Sequence, residues 1–155
     1  MIDLNIKLEL VNGIIKPAVI KLLDTAMLNS HEDDIIGLYP EKSELNIQKW
    51  KSLCGTFEIG FQRDLVIEIG EIWLIFPDPQ KATRFFRPSA NSNTLMFTER
   101  CDQYCIMCSQ PPKNKDYLHW GLYEKALISV PSNTMFGISG GEPLLEKQSM
   151  LTLIE

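Results

Sequence analysis

Residues 93–108 read NTLMFTERCDQYCIMC, and this stretch carries the features from which we predict the fold. Its first half, residues 94–98, is typical of a compact β-strand, and a cysteine-rich loop follows at once. A helix that Asp116 can cap comes next, then a second predicted strand at 134–138 and a Gly-Gly-Glu-Pro loop at 140–143. Strand, loop, helix, strand, loop is the order of βα units in a parallel sheet or barrel, where ligand sites gather at the carboxyl ends of the strands. Both loops are predicted to lie at such ends.

The cysteines of the first loop have a spacing that chance does not explain. Cys101, Cys105 and Cys108 form a C-x3-C-x2-C cluster, whereas Cys54 stands alone. Random placement would produce this pattern in roughly 0.3% of comparable chains. Three thiolates can hold three irons of a [4Fe–4S] cube and leave the fourth open to a small molecule. Three other interpretations remain open. They are a structural zinc site completed by Cys54 or His119, a closed iron–sulfur carrier completed by Cys54, and cysteines buried on one helix face.

The second loop offers groups that suit a zwitterionic ligand. Gly140 and Gly141 allow the backbone to approach a ligand closely, and the Glu142 carboxylate can accept hydrogen bonds from an ammonium group. Alone, the motif is more typical of a plain strand-to-helix turn than of a ligand site. Its position one βα unit after the cysteine cluster favours a shared site.

The two motifs together resemble those of the radical S-adenosylmethionine (SAM) enzymes, whose signature is a CxxxCxxC loop followed by a GGE-type loop. The resemblance implies that the three clustered cysteines ligate a [4Fe–4S] cluster, whose fourth iron SAM chelates through its amino and carboxylate groups. It also implies SAM contacts from the second loop, at Gly140, Gly141, Glu142 and Pro143. The residue before the third cysteine usually lies near the adenine in this family, and here it is Met107.

Residues 93–112 more narrowly resemble the His-Xaa-Ser system radical SAM maturases. This resemblance implies an enzyme in which one electron cleaves SAM to methionine and a 5′-deoxyadenosyl radical, which abstracts hydrogen from a peptide or protein. The implied partners are such a substrate, for example a His-Xaa-Ser repeat protein, and an electron donor such as flavodoxin or ferredoxin. A radical SAM activase that acts on a partner enzyme's glycine is a neighbouring interpretation.

The expected fold class is α/β, the start of a partial (β/α)6 radical SAM barrel preceded by a small α+β domain. We expect that domain at 1–76, a linker at 77–92, and about two βα units at 93–155. On this expectation the chain is an N-terminal piece that does not turn over alone. Within the first domain the patterns predict a strand at 2–10, a helix from Pro40 to Gly55 with Trp50 inward, and strands at 56–61, 65–69 and 71–76.

Composition excludes several classes of function. Fifteen Lys and Arg against twenty Asp and Glu give a net charge of −5, which opposes general binding to nucleic acid or an anionic membrane. The sequence has no run of about 18 apolar residues and no signal-peptide pattern, so we expect a cytoplasmic protein without a membrane span. A competing class is an interaction protein, in which residues 1–76 recognise a peptide and the cysteines hold zinc or a closed iron–sulfur cluster only structurally.

Overall fold

The structure is a computed structural model that describes residues 5–24, 36–41, 47–52, 56–108, 113 and 120–154. The chain divides into two compact units. The first comprises Met1–Ala90 and Gly121–Ser132, and the second comprises Asn91–Trp120 and Asn133–Glu155.

The first unit is built on an eight-stranded sheet. Its strands are β1 (Asn5–Lys7), β2 (Leu10–Asn12), β3 (Ala18–Leu22), β4 (Ile36–Pro40), β5 (Ile47–Lys51), β6 (Glu58–Gln62), β7 (Ile72–Phe76) and β8 (Lys81–Phe86). They are arranged in the order β1-β8-β7-β3-β4-β5-β6-β2. Among these strands the β3–β4 pair is parallel and the other pairs are antiparallel.

The sheet is curled, because its two edge strands are consecutive in the chain. Only Leu8 and Glu9 separate β1 from β2. The Leu8 amide donates to the carbonyl of Gln80 (2.8 Å) beside β8, and the Glu9 amide donates to the carbonyl of Gly60 (2.9 Å) in β6. One short N-terminal segment therefore connects the two ends of the sheet.

Apolar side chains of this sheet form one buried core cluster. Phe61 and Trp73 are its largest fully buried members, with ring centroids 5.0 Å apart. The rest of this core cluster comprises Leu8, Ile14, Ile20, Leu22, Leu38, Trp50, Ile59, Ile75 and Ala82. Complete burial of a large apolar side chain stabilises a fold by about 1.5–3 kcal/mol, so this core contributes much of the stability of the first unit.

Helix α1 (Trp120–Ile128) contributes its later residues to the first unit. Its Ala126 is fully buried, and Tyr123 contacts Phe85 of β8 with ring centroids 5.8 Å apart. After the helix ends, the carbonyl of Ser129 accepts a hydrogen bond from Lys21 Nζ of β3 (2.9 Å). A cation at this position satisfies a carbonyl that no helical amide can reach.

The second unit contains one parallel pair of strands, β9 (Asn93–Thr98) and β10 (Phe136–Gly140), which start opposite each other at Asn93 and Phe136. A 3₁₀ turn (Pro143–Glu146) and helix α2 (Lys147–Ile154) follow β10. Phe97 of β9 is buried against Trp120, with ring centroids 4.4 Å apart.

The fold class expected from the sequence is wrong. The described chain is mostly β, with an eight-stranded curled mixed sheet, a two-stranded sheet and two short helices, and it is not the start of a (β/α)6 barrel. The β9–β10 pair does have the parallel direction that the motif order predicted. Most of the chain before it instead builds a mixed sheet, in which the β3–β4 pair is parallel and the other pairs are antiparallel. Residues 81–86, within the segment expected as a linker, form β8 of that sheet.

Some of the individual helices and strands predicted from the sequence also need correction. The helix predicted from Pro40 to Gly55 is wrong, because residues 47–51 form β5 between β4 and β6. Trp50 nevertheless points into the core, as expected. The predicted strand at 65–69 is absent, whereas those at 56–61, 71–76, 94–98 and 134–138 are found with ends shifted by one or two residues. The expected helix residues 42–46 and 53–55 lie outside the described residues.

None of the helices in the described part of the chain is long and apolar enough to cross a membrane.

Candidate functional site: two loops at the ends of parallel strands

The cysteine loop (residues 99–108) and the GGEP loop (residues 140–143) lie side by side. Each follows a strand of the parallel β9–β10 pair, so both leave the same edge of this small sheet. Two backbone hydrogen bonds connect the GGEP loop with the end of β9 and with the start of the cysteine loop. The Gly141 amide donates to the carbonyl of Thr98 (2.7 Å), and the Glu142 amide donates to the carbonyl of Arg100 (2.8 Å). The structure thus brings together the two motifs that the sequence singled out.

The two glycines make this close approach possible. Gly140 has a φ of +134°, and a Cβ atom there would lie 2.2 Å from the carbonyl oxygen of Thr98. A Cβ on Gly141 would lie 1.9 Å from the carbonyl oxygen of Arg100 and 3.1 Å from Cys101 Cβ. The space beside both glycines is therefore filled by the backbone that leads into the cysteine loop. Their immediate role is contact between the two loops.

The three clustered cysteines differ in exposure. Cys101, next to the GGEP loop, is half-buried, whereas Cys105 and Cys108 are exposed, and none of the three forms a disulfide. A turn closes the loop, since the Cys108 amide donates to the carbonyl of Cys105 (3.0 Å). Met107, at this turn, is 93% exposed.

The thiols of the cysteine loop are chemically suited to bind an iron–sulfur cluster. Thiolate sulfur is the ligand that such clusters take, and three thiols lie within eight residues. Within the part of the chain that the structure describes, however, no three His, Cys, Asp or Glu side chains are grouped as a metal site. The loop carries the donors without gathering them at one point. Cys54 and His119, the residues that could close a zinc or iron–sulfur site, lie outside the described residues.

Glu142 has a defined local role in the GGEP loop. Its Oε1 atom accepts a hydrogen bond from the Leu144 amide (3.0 Å) and so caps the 3₁₀ turn, which Pro143 begins. A carboxylate has about four acceptor positions. Capping therefore fixes the side chain and leaves acceptor capacity for an ammonium group.

Two ion pairs at the loops were not predicted from the sequence. Arg100 Nη1 contacts Glu146 Oε1 of the 3₁₀ turn, and Lys113 Nζ contacts Glu99 Oε1. The Arg100 amide also donates to Thr98 Oγ1 (3.1 Å). No local pattern marks these pairs, because their members are 46 and 14 residues apart.

Comparisons with protein-family models, curated proteins and solved structures found no match to this chain.

Proposed function

We propose that the chain is a radical SAM enzyme, or the part of one that binds its cofactors, and that it acts on a peptide or protein. The observation that carries this proposal is the backbone contact between the two loops, from Gly141 to Thr98 and from Glu142 to Arg100. It holds the segment that leads into the three-cysteine cluster against the loop that carries Glu142, whose carboxylate can bind an ammonium group.

Each loop has its own task in this proposal. Cys101, Cys105 and Cys108 would hold a [4Fe–4S] cluster, and the exposure of the last two lets iron and sulfide reach them. Glu142, fixed by its capping bond, would accept hydrogen bonds from the amino group of SAM. The exposed Met107 offers an apolar surface for the adenine. When bound, the cluster and SAM would together supply a 5′-deoxyadenosyl radical that removes a hydrogen atom from the substrate.

The proposal includes a cytoplasmic location, because thiols remain reduced there. It also includes a reducing partner such as flavodoxin or ferredoxin. The net charge of −5 supports a substrate other than nucleic acid.

Anaerobic reconstitution with iron and sulfide tests the proposal. We expect the reduced protein to give an EPR signal of [4Fe–4S]⁺ that changes when SAM is added. Single Cys→Ala variants at 101, 105 and 108 should each lose most of the bound iron and the signal. Cys54→Ala is the matched control and should keep both.

Three results would contradict the proposal. The first is a cluster that SAM does not affect. The second is loss of the cluster in Cys54→Ala, which would indicate a closed four-cysteine site. The third is zinc bound by the purified protein with no capacity for a cluster, which would favour a structural metal in an interaction protein.

A further inference from the structure

We propose that Arg100 and Glu146 are a positioning pair, which holds the GGEP loop against the cysteine loop and so sets the distance between Cys101 and Glu142. This inference rests on the proposed function, since it assigns a task to residues beside the same site. Neither residue is among those that the sequence motifs indicate.

Arg100 attaches to the second loop at two points. Its carbonyl accepts the Glu142 amide hydrogen (2.8 Å), and its guanidinium pairs with the Glu146 carboxylate four residues further on. It also immediately precedes Cys101. A shift of the Arg100 backbone therefore moves the first cysteine and the capping glutamate together.

Arg100 and Glu146 are far apart in the sequence, but the segments that carry them meet at the same edge of the small sheet. Glu146 ends the 3₁₀ turn that Glu142 begins by capping Leu144. The turn is thus held at both ends, at its start by the Glu142 side chain and at its end by Arg100. The backbone bonds from Gly141 to Thr98 and from Glu142 to Arg100 lie before the turn, so the ion pair adds an attachment at its far end.

The Lys113–Glu99 pair provides a matched comparison. Lys113 contacts Glu99, and its backbone forms a parallel bridge with Arg100. Both members thus lie on the side of the cysteine loop, whereas the Arg100–Glu146 pair crosses to the 3₁₀ turn that follows the GGEP loop. The two basic side chains are similarly exposed, at 44% for Arg100 and 51% for Lys113. Neutralising either one removes a single positive charge, so a general electrostatic effect would be equal in both.

The experiment compares Arg100→Gln with Lys113→Gln in the full chain by two measurements. The first, on the protein without iron, is the hydrogen-exchange rate of the Gly141 and Glu142 amides by NMR. The second, on the reconstituted protein, is the SAM concentration that half-saturates the EPR change. An exposed ion pair has a modest effect, so we expect Arg100→Gln to speed this exchange and weaken SAM binding by about three- to five-fold. Lys113→Gln should change neither by more than about two-fold.

A charge reversal separates pairing from a general loss of structure. The double variant Arg100→Glu with Glu146→Arg should restore both measurements to within about two-fold of the original protein, because the attraction is re-formed. Equal exchange rates in Arg100→Gln and Lys113→Gln, or no recovery in the double variant, would overturn the positioning pair. A reconstituted original protein that does not respond to SAM would instead overturn the proposed function, and the exchange rates would still decide whether the pair fixes the loops.

Discussion

At the scale of single residues, Gly141 decides how closely the two loops can approach. An alanine there would place its Cβ 1.9 Å from the Arg100 carbonyl oxygen, a contact that only movement of the backbone can relieve. We expect Gly141→Ala to lower the free energy of unfolding by about 1–3 kcal/mol. It should also abolish the SAM-dependent EPR change.

The matched control is Gly121→Ala in α1, because a Cβ at Gly121 meets nothing within 4 Å. Alanine is the better helix former, so this variant should be as stable as the original protein or up to about 1 kcal/mol more stable. Equal urea denaturation midpoints for the two variants would contradict the close packing of the loops.

A second residue-scale prediction concerns a buried carboxylate. Glu71 has no exposed surface, and its Oε1 lies 3.3 Å from Arg84 Nε, while Trp73 Nε1 donates to its Oε2 (2.9 Å). Burial raises the pKa of Glu71 above its ordinary value of 4.5, although the nearby guanidinium opposes this rise. A raised pKa in the folded state means that the contribution of Glu71 to stability is complete below pH 4.5 and is lost as the pH rises through the folded value. The stability of the original protein relative to Glu71→Gln should therefore decrease as the pH rises above 4.5.

Glu68 provides a control, because its contribution to stability should change with pH in the opposite direction. The Ser89 hydroxyl and the Arg87 guanidinium hold the pKa of Glu68 below 4.5. Its contribution is present above that pH and is lost as the pH falls through the folded value. Urea denaturation at several pH values should give slopes of opposite sign for Glu71→Gln and Glu68→Gln, and slopes of the same sign would refute the assignment.

At the scale of elements, the sequence predicts a strand well where the signal lies within the segment itself. It fails where the conformation of a segment depends on pairing with a strand that is distant in the sequence. Short segments rich in β-branched or aromatic residues located β6, β7 and β9, since this signal lies within each segment. Residues 47–51 were predicted as helical because Pro40 looked like a helix start. Their strand conformation depends on pairing with β6, from Ile47 opposite Gln62 to Lys51 opposite Glu58. A local window cannot contain that information.

Gln48 in β5 provides an element-scale prediction. Its Nε2 donates toward the carbonyl oxygens of Gln62 (3.2 Å), Arg63 (2.7 Å) and Leu65 (2.8 Å), and so secures the chain as it leaves β6. Gln48→Ala should cost about 1–2 kcal/mol of unfolding free energy. Gln48→Glu should cost more, because its carboxylate cannot donate and faces several carbonyl oxygens. A thermal unfolding temperature for Gln48→Glu that equals or exceeds that of Gln48→Ala would contradict these contacts.

At the scale of the whole molecule, the sequence located the candidate site better than the fold that surrounds it. The motif order indicated two loops at the ends of parallel strands, and β9 and β10 provide them. The alternation at residues 2–10 predicted one strand, but the described part forms β1 and β2, which pair with different strands. The change of partner at Leu8 and Glu9 depends on Gln80 and Gly60, far along the chain. Closure of the sheet could not be predicted from local sequence for this reason.

Leu8 tests the importance of that closure. It is fully buried between the two edge strands, whereas the nearby Ile15 is 87% exposed. Leu8→Ala should lower the free energy of unfolding by about 2–5 kcal/mol. Ile15→Ala should change it by less than about 0.5 kcal/mol. Comparable urea midpoints for the two variants would show that the Leu8 segment does not hold the sheet together.

The central proposal is that the cysteine loop and the GGEP loop form one site, which would hold a [4Fe–4S] cluster and SAM together. The most direct measurement is electron–nuclear double resonance of the reduced, reconstituted protein with SAM that is isotopically labelled at its amino nitrogen and carboxylate oxygens. We expect hyperfine coupling from both labels to the cluster, and loss or strong weakening of this coupling in Gly141→Ala. A [4Fe–4S]⁺ cluster that shows no coupling to either label in the original protein would contradict the claim.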